Sequence, residues 1–250
     1  MGGASRNERK RRQEAAAQRL ASAGIQVPQR ANNTSLIIVV AVVVAAVLAG
    51  GVVLYLRNAG TVATVTPAYA ATSSGAVVTA GSGKPTIDVY EDFLCPNCEI
   101  FEKAYGNEIV SALNDGKLTV RFHSIAILDK RSSPAGYSTR AANAALCAVP
   151  AGTYPAYHQK LFASQPSEGS AGLTDDQLVE FGSQLGAKGD FAGCVKGAKN
   201  AAAVTAETQK AVANPAAQTN GVFGTPTVIA NGTQVNLNNT NWLKDILAAG

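Results

Sequence analysis

Thr86-Ile87-Asp88-Val89-Tyr90-Glu91-Asp92-Phe93-Leu94-Cys95-Pro96-Asn97-Cys98-Glu99-Ile100-Phe101 is the stretch that decides the fold. Its first part, Thr86–Glu91, has the β-branched and aromatic character of a strand. Its last part opens a helical run, Pro96–Asn114, with proline at the first helical position. Between them stands one Cys-x-x-Cys, Cys95-Pro96-Asn97-Cys98. Two thiols three positions apart at a helix start can close into a disulfide and open again. The first lies where helix N–H groups and the macrodipole favour negative charge. A stabilised thiolate attacks disulfides and also leaves mixed disulfides readily. The pattern predicts a thiol–disulfide exchange site.

Working outward, Leu118–Ser124 reads as a second strand after the Asp115-Gly116 turn, and Ala76–Thr79 reads either as the end of a tether or as an added edge strand. A helical block follows at about 133–214. One helix opens at Ser133-Pro134 and runs to about Val149, and Tyr154–Ala163 is a second. Thr174-Asp175-Asp176-Gln177 has capping-box spacing and starts a third, to about Leu185. Asp190–Asn214 holds one or two more. Thr227–Ala230, Asn231-Gly232 and Thr233–Leu237 then read as a hairpin with a tight turn, and Asn241–Ala249 as a closing helix. The order β-α-β, helical insert, β-β-α is an α/β thioredoxin fold with a helical insertion.

The other end of the chain addresses the compartment. Leu36–Leu56 is uncharged over 21 residues, about 31 Å as a helix, or one hydrocarbon core. Before it come Arg6, Arg9, Lys10, Arg11, Arg12, Arg19 and Arg30 against Glu8 and Glu14; after it comes Arg57, then no charge until Lys84. The positive-inside rule predicts a cytoplasmic N-terminus and an extracytoplasmic catalytic domain. The expected organisation is a basic tail at 1–35, a single transmembrane helix at 36–56, a flexible linker at 57–83 and a folded domain at 84–250. A cleaved signal peptide ending at Ala68-Tyr69-Ala70 is the rival; the apolar run is long for one and the triplet lies far past it. The net charge of +4 comes from the tail, because 13 basic and 15 acidic residues follow from Lys84 onward. The basic tail suits topology and anionic lipid, and the folded part is not expected to bind nucleic acid.

Four cysteines, Cys95, Cys98, Cys147 and Cys194, fall on the outer side, and an even number there fits disulfides. No second close pair suggests zinc, so no metal and no cofactor are expected. Joining Cys147 to Cys194 would close a loop worth about 4 kcal/mol by chain entropy; a second redox pair serving the first is the alternative. His123 could approach the Cys pair or simply pack. His158 reads as a surface residue. Glu91 and Asp92 read as strand-end and loop anchors.

Asp92-Phe93-Leu94-Cys95-Pro96-Asn97-Cys98 with Phe101-Glu102, together with Gly224-Thr225-Pro226-Thr227, resembles the two motifs of DsbA-like thiol:disulfide oxidoreductases. The resemblance covers Lys84 to the C-terminus, and the anchor and extra cysteine pair are similar to those of actinobacterial members. It implies that Cys95 is the exposed nucleophile and Cys98 its buried partner. Thr225-Pro226 would be a substrate-binding cis-peptide, with Pro96 and Asn97 beside it. Neighbouring backbone groups would pair an extended client. The implied activity is introduction of disulfides into secreted proteins by a monomer. Its partners would be unfolded or reduced secreted proteins and a membrane quinone-linked reoxidant of the DsbB or vitamin K epoxide reductase type. Two features depart from the family. The buried acid often found six residues before the first cysteine is here Val89, and Asn97 stands where strongly oxidising relatives place histidine. A less extreme oxidant follows. Three rivals are a reductant of cytochrome c maturation, where Trp often stands in place of Leu94, a dedicated isomerase, and a soft-metal chaperone, which the single Met and two His disfavour.

Overall fold

The computed structural model describes residues 64–249, together with Glu8, Arg11 and Ala15. The chain divides into two units, 1–63 and 64–250. In the first, Glu8, Arg11 and Ala15 are helical and exposed. The expected span at 36–56 lies outside the described residues; among the described residues no helix is long and apolar enough to cross a membrane.

The second unit is built on a six-stranded sheet. Its strands are β1 (Ala71–Ser74), β2 (Val77–Gly81), β3 (Thr86–Glu91), β4 (Thr119–Ser124), β7 (Thr227–Ala230) and β8 (Thr233–Gln234), in spatial order β1-β2-β4-β3-β7-β8. β3 and β4 are parallel and are joined through α1 (Pro96–Asn114); β3 pairs antiparallel with β7 on its other side. Alternation sets the faces. Ile87, Val89, Val120 and Phe122 join one apolar core with Phe101, Ile109 and Leu113 of α1. The register places Asp88 beside Arg121 and Tyr90 beside His123 on the other face. The helical insertion follows β4: α2 (Tyr137–Ala148), α3 (Tyr154–Ala163), α4 (Asp175–Gln184), α5 (Phe191–Lys196) and α6 (Ala201–Ala213). A small hairpin, β5 (Gln218–Thr219) and β6 (Val222–Phe223), leads into β7, and α7 (Trp242–Ala249) closes on Phe101 and Tyr105 of α1. This is the expected thioredoxin fold with its helical insertion.

Several elements differ from expectation for local reasons. Of the linker expected at 57–83, residues 64–83 are described, and they hold two strands. Val78 and Ala80 are fully buried at alternate positions of β2, which lies inside the sheet between β1 and β4 rather than at its edge. Upstream, Val65 N–H donates to Asn107 of α1 at 3.0 Å and Ala68 N–H to Asn114 at 2.8 Å, while Tyr69 is buried. The folded unit therefore begins near Thr64, not Lys84. The insertion's first helix starts at Tyr137 rather than Ser133, because left-handed Gly136 (φ 108°) occupies its N-cap. The Thr174 capping box is formed, with both of its hydrogen bonds present. In the β7–β8 turn Asn231 and Gly232 take φ of 51° and 77°, as a two-residue hairpin turn requires. β8 stops at Gln234, short of Leu237, because the Asn236 and Asn239 side chains accept backbone N–H bonds two residues on and curl the chain into turns.

Candidate active site

Cys95 is the N-cap of α1, with φ −75° and ψ 117°, and Pro96 is the first helical residue. The approach is a tight turn in which Cys95 N–H donates to the Asp92 carbonyl at 2.9 Å and Leu94 N–H to Asp92 Oδ1 at 2.9 Å. The Cys95 carbonyl accepts from Cys98 N–H at 3.0 Å and from Gln165 Nε2 of the insertion at 3.1 Å. Pro96 and Asn97 face solvent. Contrary to expectation Cys95 is not exposed: it keeps 6% of its surface and Cys98 1%. Both are free thiols.

The Thr225-Pro226 bond is cis. It lies across from the helix start, and the Cys95 thiol donates to the Thr225 carbonyl at 3.4 Å. The Thr225 hydroxyl is buried without a partner. When Cys95 ionises, its sulfur can no longer donate to the carbonyl, and that hydroxyl becomes a donor to the thiolate. The two thiols are accordingly unequal. A hydrogen bond from Cys98 acts first on Cys95; burial opposes; Thr225 and the N–H groups of Cys98 and Asn97 add to it, and its pKa falls from 9.0 to about 6. Burial and the neighbouring Cys95 push Cys98 well above the usual thiol range. Asn97 contributes its backbone N–H, and no hydrogen bond from its side chain to Cys95 is among those formed by the described residues.

Beneath this lies a buried group that the sequence reading misplaced. His158 of α3 is 2% exposed, not at the surface, and its Nε2 meets Glu91 Oε1 at 2.8 Å. Phe93, Phe122, Tyr154 and Phe162 ring it. Burial disfavours its charge, but the Glu91 and Glu102 carboxylates and the Glu91 hydrogen bond push its pKa up to about 9. Burial raises Glu102, one turn after Cys98 on α1, to about 7. A carboxylate thus enters from α1 and from the end of β3, rather than six residues before Cys95. Glu91, Glu102 and His158 offer three ligand atoms within 4.8 Å of one another. The 2.8 Å contact between His158 and Glu91 is the hydrogen bond of an ion pair, and Glu91 Oε2 is buried without a hydrogen-bond partner.

His123 does not join the Cys pair. Its Nδ1 meets Glu207 Oε1 of α6 at 2.7 Å, its Nε2 meets Asp88 Oδ1 at 2.9 Å, and its ring stacks on Tyr90. Arg121 holds both Asp88 oxygens at 2.6 Å. This network fastens the insertion to the far face of the sheet. Cys147 of α2 and Cys194 of α5 are joined by a disulfide, with Cα atoms 5.9 Å apart. The Asn200 amide donates to both of their sulfurs, and the pair lies within the helical insertion.

The wider comparison agrees with this geometry. Residues 74–248 match the thioredoxin family. DsbA of Mycobacterium tuberculosis, in its oxidised form, is 26% identical, with a TM-score of 0.57 over 72% of this chain and 93% of that one. The M. tuberculosis disulfide bond oxidoreductase DsbG is 27% identical, with a TM-score of 0.54 over 71% and 89% of the two chains. MdbA, a thiol-disulfide oxidoreductase from Corynebacterium diphtheriae, shares the fold at 20% identity, with a TM-score of 0.62 over 74% and 96%. Among curated proteins, the serine/threonine-protein kinase PknE of M. tuberculosis is 30% identical over 181 residues. That match takes in 70% of this chain, which spans about a third (32%) of the kinase's length. The chain belongs to the thioredoxin family, and its fold with a helical insertion is similar to that of DsbA and DsbG.

Proposed function

We propose that this protein is a membrane-tethered oxidase of dithiols in secreted proteins, with Cys95 as its nucleophile and Cys98 as the resolving thiol. The observation that carries the reading is the inequality of the two sulfurs. Cys95 is held as a thiolate at about pH 6 and above, while Cys98 keeps its proton. A stabilised thiolate stabilises the reduced form, which makes the disulfide a better oxidant. In the oxidised enzyme a client thiolate attacks Cys95 Sγ, the Cys95–Cys98 bond breaks, and the electron pair leaves on Cys98, which takes up a proton. The client's second thiolate then attacks the client sulfur of the mixed disulfide. Its own disulfide forms, and Cys95 leaves as the thiolate. Two electrons pass from client to enzyme, and a reoxidant must remove them.

Pro96, Asn97, Thr225 and Pro226 are the proposed client-binding residues. The first two are exposed and the last two half-buried around Cys95. The uncharged run at 36–56 would anchor the chain with its catalytic domain outside, near a quinone-linked reoxidant of the DsbB or vitamin K epoxide reductase type, at raised effective concentration. Clients are unfolded or reduced secreted proteins, and the enzyme acts as a monomer without nucleic acid. The lowering of Cys95 to about 6 favours the oxidase over the reductant rival. The test is the reduction potential of the Cys95–Cys98 couple against glutathione. A value well above the thioredoxin range of about −270 mV supports the oxidase; a value at or below it would overturn that direction. Impermeant thiol labelling of intact cells checks the topology, since Cys95 labelled only after lysis would reverse the orientation.

A further inference from the structure

The end of β3, α1 and α3 each bring one polar side chain to the same place in the apolar core. Glu91, Glu102 and His158 each offer one ligand atom within 4.8 Å of the other two. Glu91 and His158 are buried and Glu102 is half-buried. Phe93, Phe122 and Phe162 pack around the His158 ring. The hydrogen bond from His158 Nε2 engages Oε1 of Glu91, and Oε2 stays buried without a partner. The Tyr154 hydroxyl, one helical turn before His158, is also buried without a partner, and it is near enough to Glu91 and Glu102 to feel their charge. Among the described residues, no ion pair includes Glu102. Gly106, one turn beyond it on α1, makes room for its carboxylate: a Cβ there would come within 2.9 Å of Glu102 Oε2. A glycine weakens a helix interior, so the position favours the carboxylate over the helix.

The charges of this group do not balance. Two carboxylates share one imidazole, so an imidazolium compensates only one of them, and a buried charge without a partner is costly. A divalent cation on two carboxylates and a neutral imidazole brings the total to zero. We propose that Glu91, Glu102 and His158 form a binding site for a single divalent metal ion of the zinc type, with the Tyr154 hydroxyl beside it as a further oxygen. The donor set selects the class of ion. An imidazole nitrogen with carboxylate oxygens suits zinc and its neighbours. Calcium takes six or more oxygens, and magnesium keeps several waters. The ligand atoms of a tetrahedral zinc lie roughly 3.3 Å apart, so three atoms within 4.8 Å reach one ion by small side-chain movements. The proton between His158 and Glu91 leaves to solvent, and the metal takes its place. The surrounding rings keep water from the bonds, and the half-buried Glu102 gives the ion its way in. Such an ion would tie β3, the helix that carries the cysteine pair, and the insertion at one point. Without it, the His158–Glu91 hydrogen bond joins only the sheet and the insertion. The expectation of no metal came from the spacing of the cysteines, and none of these three ligands is a cysteine.

The test uses the full-length protein with both cysteine pairs closed as disulfides, so that no thiol competes for metal, after treatment with EDTA and dialysis. Zinc is titrated by calorimetry, and thermal unfolding is followed by circular dichroism with and without zinc. A single zinc ion should bind each chain, and the unfolding midpoint should rise with zinc concentration. Glu102→Gln leaves the His158–Glu91 pair in place and should weaken zinc binding by at least roughly tenfold, since even a residue that only supports a ligand is worth that much. His158→Gln should abolish binding. Cobalt(II) in place of zinc should show visible d–d absorption without thiolate charge-transfer bands. Absence of zinc binding, or equal binding by wild type and folded Glu102→Gln, would overturn the proposal, as would thiolate bands in the cobalt protein. Equal stabilisation by calcium would overturn the assigned class of ion.

Discussion

Replacing His158 with glutamine tests the buried ion pair beneath the cysteines. His158 and Glu91 are 2% exposed each, and one oxygen of Glu91 is already buried without a partner. The histidine's charge is held well past its ordinary range, from 6.5 to about 9. Each tenfold of proton affinity is about 1.4 kcal/mol, so the pair contributes roughly 3 kcal/mol. The same size follows from removing one partner of a buried pair, about 3–5 kcal/mol. For a folded unit of this length the midpoint of thermal unfolding should fall by roughly 6–12 °C. The pH dependence sets the sign. A histidine whose folded pKa exceeds its unfolded value contributes its full stability below about 6.5 and loses it as the pH rises through about 9. The gap between wild type and His158→Gln, read by circular dichroism on the oxidised proteins, should therefore be wide near about pH 7 and narrow by about pH 10. Equal midpoints near neutrality, or a gap that does not vary with pH, would refute the assignment of a charged His158.

Three further outcomes are expected. Cys98→Ala should accumulate mixed disulfides with clients on non-reducing gels and Cys95→Ala should not; the opposite pattern would reverse the proposed roles. Replacing Cys147 and Cys194 together with alanine should lower the melting temperature, in line with about 4 kcal/mol of loop-closure entropy, while exchange continues. Lost turnover at unchanged stability would instead make that disulfide an electron relay. Asn97→His should raise the reduction potential by on the order of 20 mV, because a partly exposed imidazolium adds a modest Coulombic attraction to the Cys95 thiolate; an unchanged or lower potential would show that backbone donors already set its energy.

The fold was legible wherever local signals agreed. Pro96–Asn114 and Tyr154–Ala163 have the expected bounds, since a proline at or next to the start of each and a polar or glycine-bearing turn at the end punctuate them. β1 was missed, and β2 was read only as an edge strand, because Ala71–Gly81 is made of small, uncharged residues that read as a tether. Its strand character lies in Val78 and Ala80, whose burial is set by β4, a partner some 40 residues on. The β5–β6 hairpin was missed too, although Asn220-Gly221, both at positive φ, carries the turn signal and could have revealed it. Cys95 and Cys98 are three positions apart in sequence and were found from it. Glu91 and His158 are 67 positions apart, and His123 and Glu207 are 84 apart. No local pattern announces such pairs; Phe101-Glu102, quoted as part of a motif, was the one available hint of a buried acid.

The source of the thiolate's stability bears on how strong an oxidant this site can be. No cation stands between the cysteines, and the groups that lower Cys95 are the Cys98 thiol, Thr225 and two backbone N–H groups. These are short-range donors held by the helix start and the cis-proline loop, so they act fully on a largely buried sulfur and resist salt. Against them stands the burial of the sulfur itself. Burial of Cys98 adds to the asymmetry by keeping its proton on the side away from solvent. The balance gives a sulfur acidic enough to leave a mixed disulfide at neutral pH, yet without the charge–charge attraction that a protonated histidine at position 97 would supply. A moderate oxidant follows from these contacts, and the histidine variant should make it a stronger one. The added imidazolium attracts the thiolate from the solvent side, while the Cys98, Thr225 and backbone donors stay in place.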